Sequence, residues 1–439
     1  MSRIHVIGAG LAGLSAAIAA SGLGRKVTVY EATGAAGGRC RSYHDTELDI
    51  RIDNGNHLLL SGNKSAFAYI DAIGARDRFK GPKRPIFPFV DLKKARAWSI
   101  KPSTGRIPWW LLFAERRVPR TTAGDHLVLR SIGKDWDDTV ISETVEHDAL
   151  YWLLLEPLSI AALNTRPHEA LACLFHAVMR ETLLKGGKYC LPRMPKEGLS
   201  EALIDPAVET LRTRGVDVLF NRRVTGFEIA DGRVASLVTA DGTVVLEPDD
   251  RVVLAVPPWI ASELLPDLTV PNAFESILNI HYKIVAPVTG DKAEAGFVGL
   301  INGIAEWVFV KSDHVSVTIS AANKVIDQAA VDLAVIVWRD VATALELPPS
   351  LSNEIPKFRV IKERRATIVA NAAQEDRRPG AVTDLANLAL AGDWTDTRLP
   401  ATIEGAIRSG VTAIKALTGP AAGRASKAQR EKQRRRRRG

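Results

Sequence analysis

Two glycine-hinged turns stand near opposite ends of this 439-residue chain, and both have the residue types that grip an anionic ligand. The first lies in "RIHVIGAGLAGLSAAIAASG" (3–22), which predicts a strand over 3–7 and a helix over 12–21. Gly8 lets the chain turn, Gly10 lets backbone N–H groups approach a pyrophosphate, and Gly13 lets helix and strand pack closely. Leu11 and Ala12 lead into the helix, whose N-terminal N–H groups and peptide dipoles attract phosphate. "KVTVYEA" follows as a strand over 27–30 and ends at Glu31 and Ala32. A carboxylate there can accept hydrogen bonds from both ribose hydroxyls and would repel a 2′-phosphate, which disfavours NADP. Strand, turn, helix, strand and acid in this register point to a dinucleotide, and these residues alone leave NAD and FAD both open. The second turn is "NLALAGDWTDTRLPATIEGAIRSG" (387–410), a buried strand ending at Gly392, then Asp393, then a helix beginning near Ala401.

The rest of the chain must position these turns. Its length suits two or three domains' worth of core, and its 46% hydrophobic and 25% charged residues are ordinary for a globular protein. The net charge of +8 belongs to one segment: Arg424–Gly439 carries nine Lys/Arg and one Glu, and the remainder holds 49 basic and 49 acidic residues. A run such as "QRRRRRG" cannot bury apolar surface, so 421–439 is expected to be a disordered basic tail. With a neutral body and no aromatic interleaving in the tail, no nucleic-acid partner is expected. Three cysteines without C-x-x-C spacing (Cys40, Cys173, Cys190) indicate a reducing compartment, and no metal-ligand cluster is expected: "HEALA" at His168 lacks the second histidine of a zinc helix. The chain opens directly on a strand, so no secretory signal is expected. Its most apolar stretch, "ALYWLLLEPLSIAAL" (149–163), is 15 residues long and contains Glu156 and Pro157, too short to span a bilayer.

"GAAGGRCRS" (34–42) follows Glu31 directly, and it resembles the second signature of the flavin amine-oxidase and phytoene-desaturase superfamily. The resemblance implies FAD, with Gly37, Gly38 and Arg39 continuing around its phosphates. A planar guanidinium fork suits phosphate oxygens. It further implies that Asp393, after Gly392, binds the ribityl chain. The backbone of Thr402 and Ile403 then faces the flavin N1–C2=O edge, where the helix dipole favours the charge of reduced flavin. Gly405 would allow close approach. "DVLFNRRV" (217–224) resembles the strand covering adenine, with Val224 as the contact, and "DG" at 231–232 and 241–242 reads as hairpin turns. The implied fold is α/β: a discontinuous Rossmann-like FAD-binding domain of the GR2 type (1–75, 199–265 and 360–420) with an inserted α+β substrate domain (76–198 and 266–359). The first inserted piece reads as helical, and 199–214 as one helix.

"DIRIDNGNHLLLSGN" (49–63), "LEPLSIAALNT" (155–165) and "LIDPA" (203–207) narrow the resemblance to the squalene-associated enzymes called hydroxysqualene dehydroxylases, over residues 1–418. That family implies reductive removal of an allylic hydroxyl from a C30 alcohol, giving squalene for hopanoid synthesis, with hydride from reduced FAD. Asn54, Gly55, Asn56 and His57 are then expected near the ring. His57 is a candidate proton donor to the leaving oxygen, and Glu404, at the flavin-edge helix, is a second catalytic candidate. An upstream synthase supplying hydroxysqualene and an unidentified electron donor complete the implied partners. Alternatives on the same motifs are a carotenoid-type desaturase, an amine oxidase and a flavin-less lipid-escort protein. A hydrocarbon product calls for exchange with a bilayer. "SIKPSTGRIPWWLLFAERRVPR" (99–120) puts Trp109, Trp110, Leu111, Leu112 and Phe113 between Lys101, Arg106, Arg116, Arg117 and Arg120, the composition of an interfacial anchor or of a helix lining a lipid tunnel. The expected location is cytoplasmic, peripheral on the inner face of the cytoplasmic membrane.

Overall fold

The computed structural model describes residues 2–419, so the basic tail expected at 421–439 lies outside the described residues. The opening apolar run forms β1 (Arg3–Ile7), the small-residue stretch forms α1 (Leu11–Gly22), and "KVTVY" forms β2 (Lys26–Tyr30). These strands enter a five-stranded sheet in the order Asp217–Leu219, β2, β1, Arg251–Leu254, Leu388–Leu390, every pair parallel. Parallel strands covered on both faces read as continuous apolar runs, which is why "RVVL" and "LAL" show no alternation. One sheet therefore collects strands from both ends and the middle of the chain.

The helix Ile403–Thr418 closes the chain and lies against α1. Its approach depends on Gly410, where a Cβ would run into the carbonyl oxygen of Ala12 and stand 2.8 Å from the Ala16 amide nitrogen. Ser15 Oγ donates to the Ile407 carbonyl (2.8 Å) across the pair, and the Gly392 N–H donates to Ser409 Oγ (2.8 Å), which ties the second turn to the closing helix. Leu14, Ala16, Ala17, Ile407, Ala413 and Ile414 are buried between sheet and helices.

A second, seven-stranded sheet runs in the order Phe358–Ile368, Phe274–Tyr282, Val315–Ile319, Trp307–Val310, Phe297–Ile301, Phe87–Asp91, Arg96–Ile100. All neighbours are antiparallel except Phe297–Ile301 with Phe87–Asp91. The helix Ala330–Leu345 buries Leu333, Val337 and Val341 in the core beside Leu278, Val308 and Val317, while Phe89, Phe297, Trp307 and Phe309 join a separate aromatic core. Two sequence expectations change here. The first inserted piece, read as helical, supplies two of these strands, and its only α-helices are Glu156–Leu163 and Ala172–Glu181. Alternation in "FPFVD" and "RAWSI" is too short to compete with the apolar content around it. The strand Phe358–Ile368 pairs with Phe274–Tyr282, so the second sheet runs on to residue 368, past the boundary drawn at 360.

The segment read as one helix over 199–214 is instead a wide turn, Ser200–Ile204, followed by an α-helix, Asp205–Thr213. The same pattern precedes Glu156–Leu163, where Tyr151–Leu155 is wide. Pro206 and Pro157 account for both. Each lacks the N–H for the i→i−4 bond, and its ring crowds the preceding turn, which opens into the i→i−5 form. The hairpin at Asp231–Gly232 has both residues at positive φ (51° and 69°), as a tight I′ turn requires. The other is centred one residue earlier than its dipeptide, on Ala240–Asp241, with Gly242 paired to Thr239.

Gly410→Val forces the two helices apart and is expected to cost about 1–3 kcal/mol, the usual range for overpacking a filled interface. Urea unfolding of the variant against the parent chain measures it.

Candidate active site

The first turn is shaped by what its glycines exclude. Gly8 has φ +103°, and a Cβ there would lie 2.6 Å from the Ala255 carbonyl oxygen; a Cβ on Gly13 would run into the Gly8 carbonyl. Gly10 is different, because a Cβ there meets nothing within 4 Å: the space before the N-terminus of α1 is open. The Gly37 N–H donates to the Ala9 carbonyl (2.8 Å), and Gly38 lies beside Gly10, so the second glycine pair continues the wall of the first turn. Glu31 borders it. Its carboxylate accepts the Ala9 N–H (2.9 Å) on one oxygen and the Thr33 N–H and hydroxyl (2.9 and 2.8 Å) on the other. Ala32 is exposed beyond it. Val224 is buried with Tyr30 and Ile7, two residues after Arg222, whose N–H donates to the Glu31 carbonyl (2.7 Å). An open anion-facing helix end, backbone N–H groups and a positioned acid fit the pyrophosphate and ribose of a dinucleotide.

The second turn meets the first through Arg39. Its guanidinium donates to Asp393 Oδ1 (2.7 Å) and to the Ala366 carbonyl (2.5 Å), an ion pair between residues 354 positions apart. Beneath Asp393 lies Arg378, whose side chain is fully buried. It donates to the carbonyls of Asp393, Thr395 and Leu399, to the Thr397 hydroxyl and to Glu375. This one side chain holds the loop 393–399 in shape. Sequence reading missed it, because "QEDRRPG" looks like a solvated polar turn and its partners in the loop lie 15 to 21 residues away.

Thr402 is the N-cap of the closing helix, its hydroxyl accepting the Gly405 N–H (3.1 Å), and Ile403 is the first helical residue. Glu404 has a different place from the one expected of a catalytic acid. It is buried, and its two oxygens accept the N–H groups of Ser65 (3.0 Å) and Ala66 (2.8 Å) at the start of the helix α2 (Lys64–Ala72), while Arg408 donates to it at 3.0 Å. Glu404 caps a helix from a distance, and both of its oxygens are engaged by donors of the protein.

The D-N-G-x-H segment joins the turns to the second sheet. Asn54 Nδ2 donates to the Arg39 carbonyl (3.3 Å) and Glu363 (3.4 Å). Asp53 is buried, pairs with Lys311 (2.5 Å), and accepts the Ser42 hydroxyl (2.6 Å) and Leu199 N–H (2.9 Å). Burial alone would raise its carboxyl, but the Lys311 ammonium and these bonds hold it below its usual range. Asn56 and His57 line a small pocket together with Asp53, Lys311, Met194 and Phe309. Gly55 lies against Asn279 of the second sheet. Burial pushes the His57 imidazole down to about 4, so it carries no extra proton at neutral pH. At neutral pH His57 is therefore a neutral imidazole, which keeps one ring N–H.

Residues 11–289 and 313–417 match the family of flavin-containing amine oxidoreductases. The chain is similar to a hydroxysqualene dehydroxylase of Zymomonas mobilis, 45% identical over 414 residues that cover 94% of this chain and 98% of the relative. It is similar also to that of Rhodopseudomonas palustris, 44% identical over 424 residues, covering 96% and 99%. A crystal structure of an oxidoreductase from Methanosarcina mazei shares the fold, with a TM-score of 0.71 at 15% identity over 94% of this chain and 100% of that one. Fold and site define a flavin-dependent oxidoreductase of the amine-oxidase superfamily. Within it, the chain belongs to the hydroxysqualene dehydroxylase family.

The depressed His57 pKa has a measurable consequence. The unfolded chain takes up this proton near the ordinary value of 6.5 and the folded chain only near 4, so stability is complete above 6.5 and declines as pH falls through that window. In an NMR titration the His57 resonance should move near pH 4, and a midpoint above 6 would contradict the burial assigned to it.

Proposed function

We propose that this protein is an FAD-dependent hydroxysqualene dehydroxylase that converts hydroxysqualene to squalene. The alcohol takes up one hydride at its allylic carbon and one proton at its oxygen, and releases water. The near-full-length match to hydroxysqualene dehydroxylases carries the reading, and the convergence of the two turns supports it. When bound, reduced FAD supplies the hydride. Gly8, Gly10 and Gly13 with the first residues of α1 receive the pyrophosphate, Glu31 the ribose, Val224 the adenine, and Gly37, Gly38 and Arg39 the phosphates. Asp393 takes the ribityl hydroxyls, and the N-terminus at Thr402 and Ile403 faces the flavin edge with its positive dipole end. Asn54, Gly55, Asn56 and His57 face the ring, with His57 a neutral imidazole. In this reading, the parallel sheet and its helices form the cofactor domain, the seven-stranded sheet and aromatic core form the substrate domain, and the electron donor comes from outside the chain.

Substrate and product are hydrocarbon-like, so we place the protein on the inner face of the cytoplasmic membrane. No helix among the described residues is long and apolar enough to cross a membrane. The 3₁₀ turn Trp109–Leu112 divides its side chains: Trp110 and Leu111 are buried, while Trp109, Leu112 and Phe113 are 60, 64 and 48% exposed. Arg117 braces the turn by donating to the Leu111 carbonyl (2.7 Å), and Leu127, on a turn touching Trp110 through His126, is exposed as well. Exposed tryptophan and leucine among arginines suit an anionic bilayer surface.

Two measurements test the reading. Purified protein given FAD, a chemical flavin reductant and hydroxysqualene should yield squalene; formation of new conjugated double bonds instead would assign a desaturase. Trp109→Ser with Leu112→Ser should reduce co-sedimentation with anionic liposomes about tenfold or more, since two large side chains are lost from the interface; unchanged binding rejects the surface.

A further inference from the structure

The side-chain amide of Asn56 has only one orientation open to it. Its Nδ2 lies 2.8 Å from Ser316 Oγ and 3.0 Å from Thr318 Oγ1, both on the strand Val315–Ile319. Thr318 cannot be the donor in that contact, because its hydroxyl donates to Asn279 Oδ1 (3.0 Å). Asn279 is itself oriented by donating from Nδ2 to the backbone carbonyl of Asn54 (3.3 Å), which can only accept. The series of bonds, anchored on a carbonyl, therefore places the NH₂ of Asn56 toward the sheet and its oxygen away from it. The buried His281 supports the same arrangement from behind, with Nδ1 2.9 Å from Ser316 Oγ.

Asn56 Oδ1 is buried and has no hydrogen-bond partner among the described residues, and Asn56 lines the cavity beside His57. A desolvated acceptor costs free energy unless a donor reaches it, and here the protein aims it with four surrounding polar side chains. Substrate and product of the proposed reaction differ in one respect that such an atom can sense, since the alcohol has an O–H and the hydrocarbon has none. We infer that Asn56 Oδ1 accepts the hydrogen bond of the substrate's allylic hydroxyl, which makes Asn56 the residue that positions the leaving group and releases the product. This rests on the functional reading above. The hydroxyl oxygen keeps its lone pairs for the incoming proton, and once water has left, the hydrocarbon has nothing to pair with Asn56. A site built around a hydrogen bond rejects the analogue lacking that group more strongly than an apolar pocket does.

The test uses FAD-loaded protein titrated with hydroxysqualene and with squalene in the same detergent, reading affinity from perturbation of the flavin absorbance. The parent protein should bind the alcohol more tightly. With both proteins brought to full FAD occupancy before titration, Asn56→Ala should weaken alcohol binding about tenfold, with squalene affinity unchanged. Ser316→Ala, which alters the support and not the cavity wall, should reduce the preference by a few fold. An alcohol-to-hydrocarbon ratio in Asn56→Ala equal to that of the parent overturns the assignment. If the parent neither binds nor converts hydroxysqualene, the functional reading falls and takes this inference with it; if the parent converts it and only the variant ratio is unmoved, this inference alone falls.

Discussion

The contact between α1 and the helix Ile403–Thr418 closes around Gly410, which presents bare backbone to Ala12 and Ala16. Everything proposed for the cofactor follows from that closeness. It places the Asp393 turn beside the Gly8–Gly13 turn, and Arg39 then bridges them to Asp393 across 2.7 Å. A bulkier interface would separate the two turns, and neither has enough donors alone to hold an extended dinucleotide. The arrangement is backbone-determined and hence rigid, which suits a site that must present one end of a cofactor to a substrate without rearrangement.

Around this contact the polar groups are used in tiers. Arg378 spends its donors on backbone carbonyls of the loop 393–399, and Glu404 spends its lone pairs on the start of α2. These charges are buried but compensated, a condition under which ionic groups specify geometry without leaving an unpaired charge in the interior. Asp53 with Lys311 does the same where the first sheet's connections meet the second. Asn56 stands apart from this pattern, with its donors satisfied and its buried acceptor oxygen without a partner among the described residues.

The second sheet gives the molecule its other property, a large apolar interior that ends in an exposed aromatic turn. Phe89, Phe297, Trp307 and Phe309 form one continuous core with Trp110 and Leu111, whose neighbours Trp109 and Leu112 are exposed. The second sheet joins this core to the D-N-G-x-H segment through Phe309, which belongs to the core and lines the pocket with Asn56 and His57. Its strands make the rigid floor from which Ser316, Thr318 and Asn279 orient Asn56.

Read alone, the sequence determined what is local. Strand, glycine turn, helix, strand and Glu31 lie within thirty residues, and short-range sterics at Gly8 and Gly13 dictate them wherever the rest of the chain goes. The same holds for Gly37, Gly38 and the Asp231–Gly232 hairpin. Tertiary structure alone decided the uses of groups whose partners are far away. Glu404 sits one residue into a helix that looked catalytic, yet its ligands are amides 338 and 339 positions earlier. His57 has an ordinary imidazole whose proton affinity is lowered by burial, a quantity no spacing encodes. Arg378 and Asn56 follow the same rule: a side chain's chemistry is written in the sequence, but the direction in which it is spent depends on which backbone the fold brings against it.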